Sequence, residues 1–427
     1  MVGNGGLLQL VATGKQDVFL TGNPQITWFK MVYRRYTNFA VESQAMFFDG
    51  DPDFGKRLSC LVPRRGDLLG PLVLEITLPA LTLTDGTPVS YVNSIGHALI
   101  DTITLEIGEQ EIDTHTGEWM EIWSRFVISE SQRNGFNDMI GRYDGYTTPQ
   151  NFGPLKLYIP LQFWFCKNPG LALPLLALQY HPIRINLKLR PLQDLFYSPN
   201  LANGALCNTL AVNPVKIIDL RLFGDYVYLD VEERRRFVSN THEYLIEQIQ
   251  YTPSISIPIG SSSSTVPMEF NHPIRELLWV LQRSQMITNH EYFNYSNLAL
   301  TETGTRSDLM ADAIIQLDGY DRFDRRDAGY FRLVQPYQHH TVIPNNSFIY
   351  NYCFALRPEE LQPSGSLNAS RIDSFVLQMS IAVSDCTTDQ ARAATAPPKG
   401  PMYTRVYATN HNVLRIVNGY GGLLFTI

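Results

Sequence analysis

The residues best suited to chemistry lie in the second half of the chain. His339 and His340 are adjacent, in Gln335-Pro-Tyr-Gln-His-His-Thr341. Paired imidazoles often begin a zinc site. Successive side chains on a strand point to opposite faces, however, so neighbouring histidines rarely grip one ion. No carboxylate-rich motif accompanies them, and the expectation is that one packs or hydrogen-bonds in the core. Asp318-Gly-Tyr-Asp-Arg-Phe-Asp-Arg-Arg-Asp327 is rich in carboxylates. A calcium loop needs oxygen ligands at alternate positions, then Gly and a distal Glu. Here Gly comes second and arginines intervene, so a salt-bridged turn or short helix is expected.

The other reactive types are scattered. Cys60, Cys166, Cys207, Cys353 and Cys386 form no CxxC pair, and their number is odd. They read as buried free thiols of a reducing compartment, with Cys166 and Cys353 in apolar, strand-like runs. Arg34-Arg35, Arg64-Arg65 and Arg234-Arg-Arg236 are short basic spots set among acidic residues, suited to ion pairs rather than a nucleic-acid track. The formal charge of -7 also argues against wrapping nucleic acid. No phosphate loop, HExxH or GxSxG motif appears. No catalytic, cofactor-binding or metal-ligating set is expected, and no cofactor. Asn294, Asn345 and Asn368 open formal N-glycosylation triplets, with Asn294, in a long loop, the leading candidate.

The elements that position these residues are mainly strands. Ile183-Arg-Ile-Asn-Leu-Lys-Leu-Arg190 alternates apolar and polar, the period of a half-buried strand. Ser374 to Ala382 alternates likewise. Thr102 to Ile112 reads as a hairpin turning at Gly108 and Glu109. Leu72–Leu78, Lys216–Phe223 and Asp225–Leu229 are further strand candidates. Helices are few. Gly117 to Phe126 carries Trp119, Ile122, Trp123 and Phe126 on one face. Asp230 to Phe237 starts with Asp230 as N-cap and Glu233 three residues on, and Glu232 can pair with Arg236. The domain boundary is placed at this linker helix, which divides the chain into residues 1–25, 26–229, 230–241 and 242–427. The two halves repeat one order of events, and each has the size of an eight-stranded jelly roll. Ser129–Pro154 and Thr288–Asp312 read as long polar loops, and Gly260–Thr265 as a flexible link.

Composition supports burial against partners. Hydrophobic residues make up 44% of the 427, and charged ones only 18%, against the usual ~25%. No apolar run reaches the ~20 residues of a membrane span. Gly5 to Ala12 is too short for a signal or a span. It is a sticky, glycine-flanked patch of Leu7, Leu8, Leu10 and Val11, read as part of an N-terminal assembly arm over residues 1–25.

Several runs together resemble the major capsid family of nucleocytoplasmic large DNA viruses. They are Gly6–Ala12 with Gln16–Thr27, Tyr33–Ala40, Leu157–Leu189, Tyr228–Phe237 with His242–Gln248, Tyr330–His340, and Asn412–Ile416 with Gly421–Leu423. The resemblance implies an all-β fold of two consecutive eight-stranded antiparallel jelly-roll sandwiches. It implies a non-enzymatic structural protein. Homotrimers would form pseudo-hexagonal capsomers that tile the outer shell of an icosahedral virion, after assembly in the host cytoplasm. Its partners would be itself, neighbouring capsomers and minor capsid proteins beneath the shell, without direct nucleic-acid contact or a membrane span. On that reading the linker helix, through Asp230, Glu233 and Arg236, sets the rotation between the jelly rolls, and the two long loops face outward. The competing reading is a carbohydrate-binding lectin-like or cupin-like β-sandwich, for which Tyr-rich loops would supply the site.

Overall fold

Alternation of side chains drives the architecture. In Ile183–Leu189 every second residue is buried, and the same pattern runs through Asp219–Leu229 and Phe375–Ile381. Strands of this kind close a core only when two sheets stack. A computed structural model describes residues 5–25, 33–81, 89–143, 154–197, 216–300, 302, 304–382 and 401–426. Residues up to Phe39 form one unit and those from Ala40 another.

The first eight principal strands are β1 (Phe39–Met46), β2 (Arg57–Leu61), β3 (Leu68–Leu78), β4 (Ile100–Ile107), β5 (Gln110–Thr116), β6 (Leu155–Pro160), β7 (Ile183–Leu189) and β8 (Asp219–Leu229). They form two antiparallel sheets, ordered β1-β8-β3-β6 and β2-β7-β4-β5. The next eight are β9 (His242–Tyr251), β10 (Ser263–Pro267), β11 (Pro273–Arg283), β12 (Met310–Leu317), β13 (Tyr320–Asp321), β14 (Tyr350–Cys353), β15 (Phe375–Ile381) and β16 (Met402–Val417). Their sheets are ordered β9-β16-β11-β14 and β10-β15-β12-β13. Adding eight to each number of the first pair of orders yields the second pair. Two strand sets with one winding are a double jelly roll.

Register is set by the buried face. Leu222 pairs with Leu74, Leu220 with Ile76, and Ile76 with Leu157, so their side chains share one core with Ile103, Leu105, Ile185 and Leu187. The second core centres on Trp279, Phe331, Tyr350, Ala313, Ile315, Leu377 and Met379. The β4–β5 turn uses Gly108 (φ 58°) and Glu109 (φ 68°), as its sequence indicates.

Several expectations are corrected. Ser129–Pro154 contains a helix, Glu130–Ile140, that buries Phe136 and Ile140 and ends at left-handed Gly141; residues 144–153 lie outside the described set. Within Thr288–Asp312, residues 289–300 are packed rather than open: Tyr295, Ser296 and Ala299 are fully buried. The segment's polar residues mislead because they satisfy one another, as Asn294 does with Glu291 and Ser307 N–H with Asn297. Ser263 to Pro267 is not a free link but strand β10, paired with β15. Cys166 sits in a helical turn, Trp164–Lys167, and not in a strand. Asp219–Leu229 is one strand with an irregularity between Gly224 and Tyr226, where two were expected. Asp318–Asp327, expected as a salt-bridged turn or short helix, turns back onto β12 through the short strand β13, with Arg325 Nη1 2.6 Å from Asp312 Oδ1 of β12. Cys207 and Cys386 lie outside the described residues.

Candidate functional site

The groups that could carry function meet where the two sandwiches join. The helix Gly117–Val127 follows β5 directly. Thr116 caps it by accepting from Trp119 N–H at 3.1 Å. A Cβ on Gly117 would lie 2.0 Å from His97 O, so only glycine permits this entry. The first turn aims Glu118 at the second sandwich. Its carboxylate accepts from Tyr407 Oη (2.6 Å), Tyr295 Oη (3.0 Å) and Arg405 Nη2 (2.6 Å). Burial, and then the adjacent Glu118 charge, push both tyrosine hydroxyls well above the ordinary range. Trp119 stacks near the same Tyr407, ring centroids 5.7 Å apart.

A second buried carboxylate runs the other way. Glu247 of β9 accepts from Lys167 Nζ of the first sandwich and from Arg275 Nη1 of β11, each at 2.7 Å. Burial alone would raise its pKa, but the two cations prevail and hold it at about 2. Beside it, Gln248 Nε2 donates to Ile112 O and Ile249 N–H to Asp113 Oδ1. Further along, Leu423 N–H donates to Gln110 Oε1, His181 Nδ1 lies 2.8 Å from Gly421 O, and Tyr180 stacks on Tyr420. Such buried, directional contacts fix orientation more than they add stability.

The sequence-derived candidates separate. Of the two histidines, His339 is half-buried at the end of a short helix and bonds Leu356 O, while the His340 ring is fully enclosed between Glu276 and Glu359. His340, Glu276 and Cys353 converge closely enough to share an ion. Sequence reasoning missed this trio because its members come from three separate segments. The Asn294 side chain is buried, its Nδ2 donating to Glu291 and to Leu298 O, which leaves no access for a glycan in the folded chain. Asn345 and Asn368 are exposed. The linker helix spans Val231–Ser239. Asp230 caps it through Val231 N–H at 2.8 Å, whereas Glu232 meets Arg235 at 3.5 Å rather than Arg236. Among the described residues Glu233 makes no return bond to the Asp230 amide. Arg234, in a basic spot read as suited to ion pairs, pairs with the buried Asp67 at 3.2 Å. Leu7, Leu8, Leu10 and Val11 lie on a helix, Gly5–Val11, all strongly exposed; Phe19, on the next helical turn, is 92% exposed.

Known proteins show the same organisation. Residues 27–230 match the family described as major capsid protein N-terminus, and residues 233–422 match large eukaryotic DNA virus major capsid protein. The major capsid protein of Pyramimonas orientalis virus is 39% identical, and that of Paramecium bursaria Chlorella virus 1 is 37% identical, each over 99% of both chains. The structure resembles the PBCV-1 capsid protein with a TM-score of 0.76 and 31% identity, covering 94% of this chain and 100% of that one. It shares its fold with the Faustovirus major capsid protein, with a TM-score of 0.75 at 14% identity, over 95% of this chain and 94% of that one. These likenesses set aside the lectin-like and cupin-like reading. The chain belongs to the major capsid protein family of the large eukaryotic DNA viruses.

Proposed function

We propose that this protein is a structural, non-enzymatic capsid subunit that assembles with copies of itself as a homotrimer. Three copies supply six jelly rolls and a capsomer of near-hexagonal outline. The observation that carries this reading is the repeated winding of two sandwiches locked by buried contacts at Glu118 and Glu247. A subunit with two similar, rigidly joined modules can present similar edges to six neighbours while its true symmetry stays three-fold. Individually weak lateral contacts then suffice, because an array multiplies them. Capsomers tile the outer shell of the virion, assembled in the host cytoplasm, with minor capsid proteins beneath.

Within that scheme residues 1–25 act as the assembly arm. Burying Leu7, Leu8, Leu10 and Val11 against a neighbour contributes ~1.5–3 kcal/mol per side chain before ordering costs. The linker helix, tied to the first sandwich by Arg234 and Asp67, limits rotation between the two jelly rolls. Light scattering with negative-stain microscopy tests the trimer. Trimers of hexagonal outline are expected, and a monodisperse monomer at micromolar concentration overturns the reading. Deleting residues 1–13 should leave trimers of unchanged melting temperature that fail to join into shells.

A further inference from the structure

Glu276 on β11 and Cys353 on β14 face each other directly across the antiparallel ladder, and Asn351 lies two residues along the same face. His340 drops its ring between them. Its Nε2 is 2.9 Å from Glu276 Oε2, 2.8 Å from Asn351 Nδ2 and 3.7 Å from Cys353 Sγ. Sγ is 4.0 Å from Glu276 Oε2, and Asn351 Nδ2 is 3.1 Å from that oxygen. On the far side of the ring, Nδ1 is 2.8 Å from Glu359 Oε1.

With both ring nitrogens protonated, Nε2–H and the Asn351 NH2 donate to the same Glu276 oxygen, Nδ1–H donates to Glu359, and the Cys353 thiol donates to Asn351 Oδ1 at 2.9 Å. Every group has a partner, but the two donors on Glu276 are only 2.8 Å apart, a crowded meeting in a pocket closed to water.

A divalent cation would relieve that crowding, because the Glu276, His340 and Cys353 ligand atoms converge closely enough to share one ion. Nε2, Sγ, Oε2 and the turned amide oxygen then all present lone pairs to one point. Zinc bonds of ~2.0–2.3 Å put tetrahedral ligand atoms roughly 3.3–3.8 Å apart, a range that the three first-named separations of 2.9, 3.7 and 4.0 Å bracket. Glu359 supplies the carboxylate that metal-bound histidines characteristically hold on their other nitrogen. Zinc takes histidine as the neutral imidazole and cysteine as the thiolate, so binding here would release protons from His340 and Cys353.

We propose that Glu276, His340 and Cys353, with Asn351 as fourth ligand and Glu359 behind the histidine, form a closed structural zinc site. The ring also packs on Phe126 of the first sandwich's helix, centroids 4.7 Å apart, so the site lies at the junction and would stiffen it.

The test is the full chain expressed in cobalt-supplemented medium and purified without chelator. One cobalt per chain is expected, with a near-ultraviolet thiolate-to-cobalt band and tetrahedral visible bands. Cys353→Ser should abolish the near-ultraviolet band, and Cys166→Ser should leave it intact. Zinc-grown protein should melt at lower temperature after stripping with a strong chelator and recover when zinc is returned. Folded wild-type protein without a thiolate band overturns the proposal, as does a band that survives Cys353→Ser.

Discussion

Strands β7 and β11 show two ways in which one fold buries a strand. In β7, Ile183, Ile185, Leu187 and Leu189 point inward while Arg184, Asn186 and Lys188 face outward. In β11 every residue from Ile274 to Arg283 is buried. The difference lies in what covers each sheet. The sheet of β7 closes one core. The sheet of β11 closes two: Leu277, Trp279 and Leu281 enter the second sandwich's own core, while Leu278 and Val280 enter the core shared with the first sandwich. A strand covered on both faces loses its alternation. Its polar residues must then find partners inside, as Arg275 does with Glu247, Glu276 with His340 and Arg283 with Glu302. The second sandwich is thus the keystone of the pair.

The sharpest way to break this comparison is to substitute positions on opposite faces of each strand. In β11, Trp279→Ala should cost ~3–5 kcal/mol and Leu278→Ala ~2–5 kcal/mol, because both faces leave cavities. In β7, Leu187→Ala should also cost ~2–5 kcal/mol, but Arg184→Ala should stay within ~0.5 kcal/mol. Denaturant midpoints at fixed protein concentration measure all four. Adjacent β11 variants of very unequal cost would mean that one face of that strand is not truly closed.

The junction comes next in size. Glu118→Ala leaves Arg405 buried without its carboxylate, which should cost about 3 kcal/mol or more. The surface pair Lys156–Glu75 of the first sandwich, 2.8 Å long but half exposed on its lysine, should couple far more weakly, because solvent screens it. A double-mutant cycle on each pair checks the contrast, and equal coupling energies would contradict it.

The same contrast has a pH form. Glu247, held at about 2 in the folded chain, returns to about 4.3 when unfolded. A depressed carboxylate stabilises the fold fully above the unfolded value, and that contribution fades as pH falls from about 4.3 toward 2. Lys167→Met removes one of its two cations, so its folded pKa rises and the acid-unfolding midpoint moves to higher pH. Lys156→Met should leave that midpoint unchanged.

How much of this was legible follows the same division. Strands with one wet face announced themselves through alternation, as at Ile183–Leu189 and Phe375–Ile381, and the tight turn at Gly108-Glu109 was read from its residues. The central strands β11 and β16 carried no such signal, because continuous burial looks like any apolar run. The packed residues 289–300 read as part of a loop, since Asn294 and Asn297 are polar by composition and internal by pairing. The Glu118 and Glu276 clusters were invisible for another reason. Their partners Arg405 and His340 arrive from distant segments, and sequence spacing does not encode such meetings.

The smallest expected effect tests the linker helix, the surface counterpart of the buried junction. None of its residues is buried, so its hold rests on its cap and on Arg234. Asp230→Ala removes the bond to Val231 N–H and should cost about 1 kcal/mol. Asp230→Asn keeps a capping oxygen and should cost far less, which separates capping from charge. If the helix merely spans the gap, that loss shows only as a small drop in stability, because Glu118 and Glu247 still set the rotation. If the helix itself sets the rotation, Asp230→Ala should also lower trimer yield out of proportion to its stability cost. The buried carboxylates each bind more than one partner across or beside the interface, and the helix adds one ion pair to Asp67, so both bear on the rotation. Trimer yield measured alongside melting temperature decides between them.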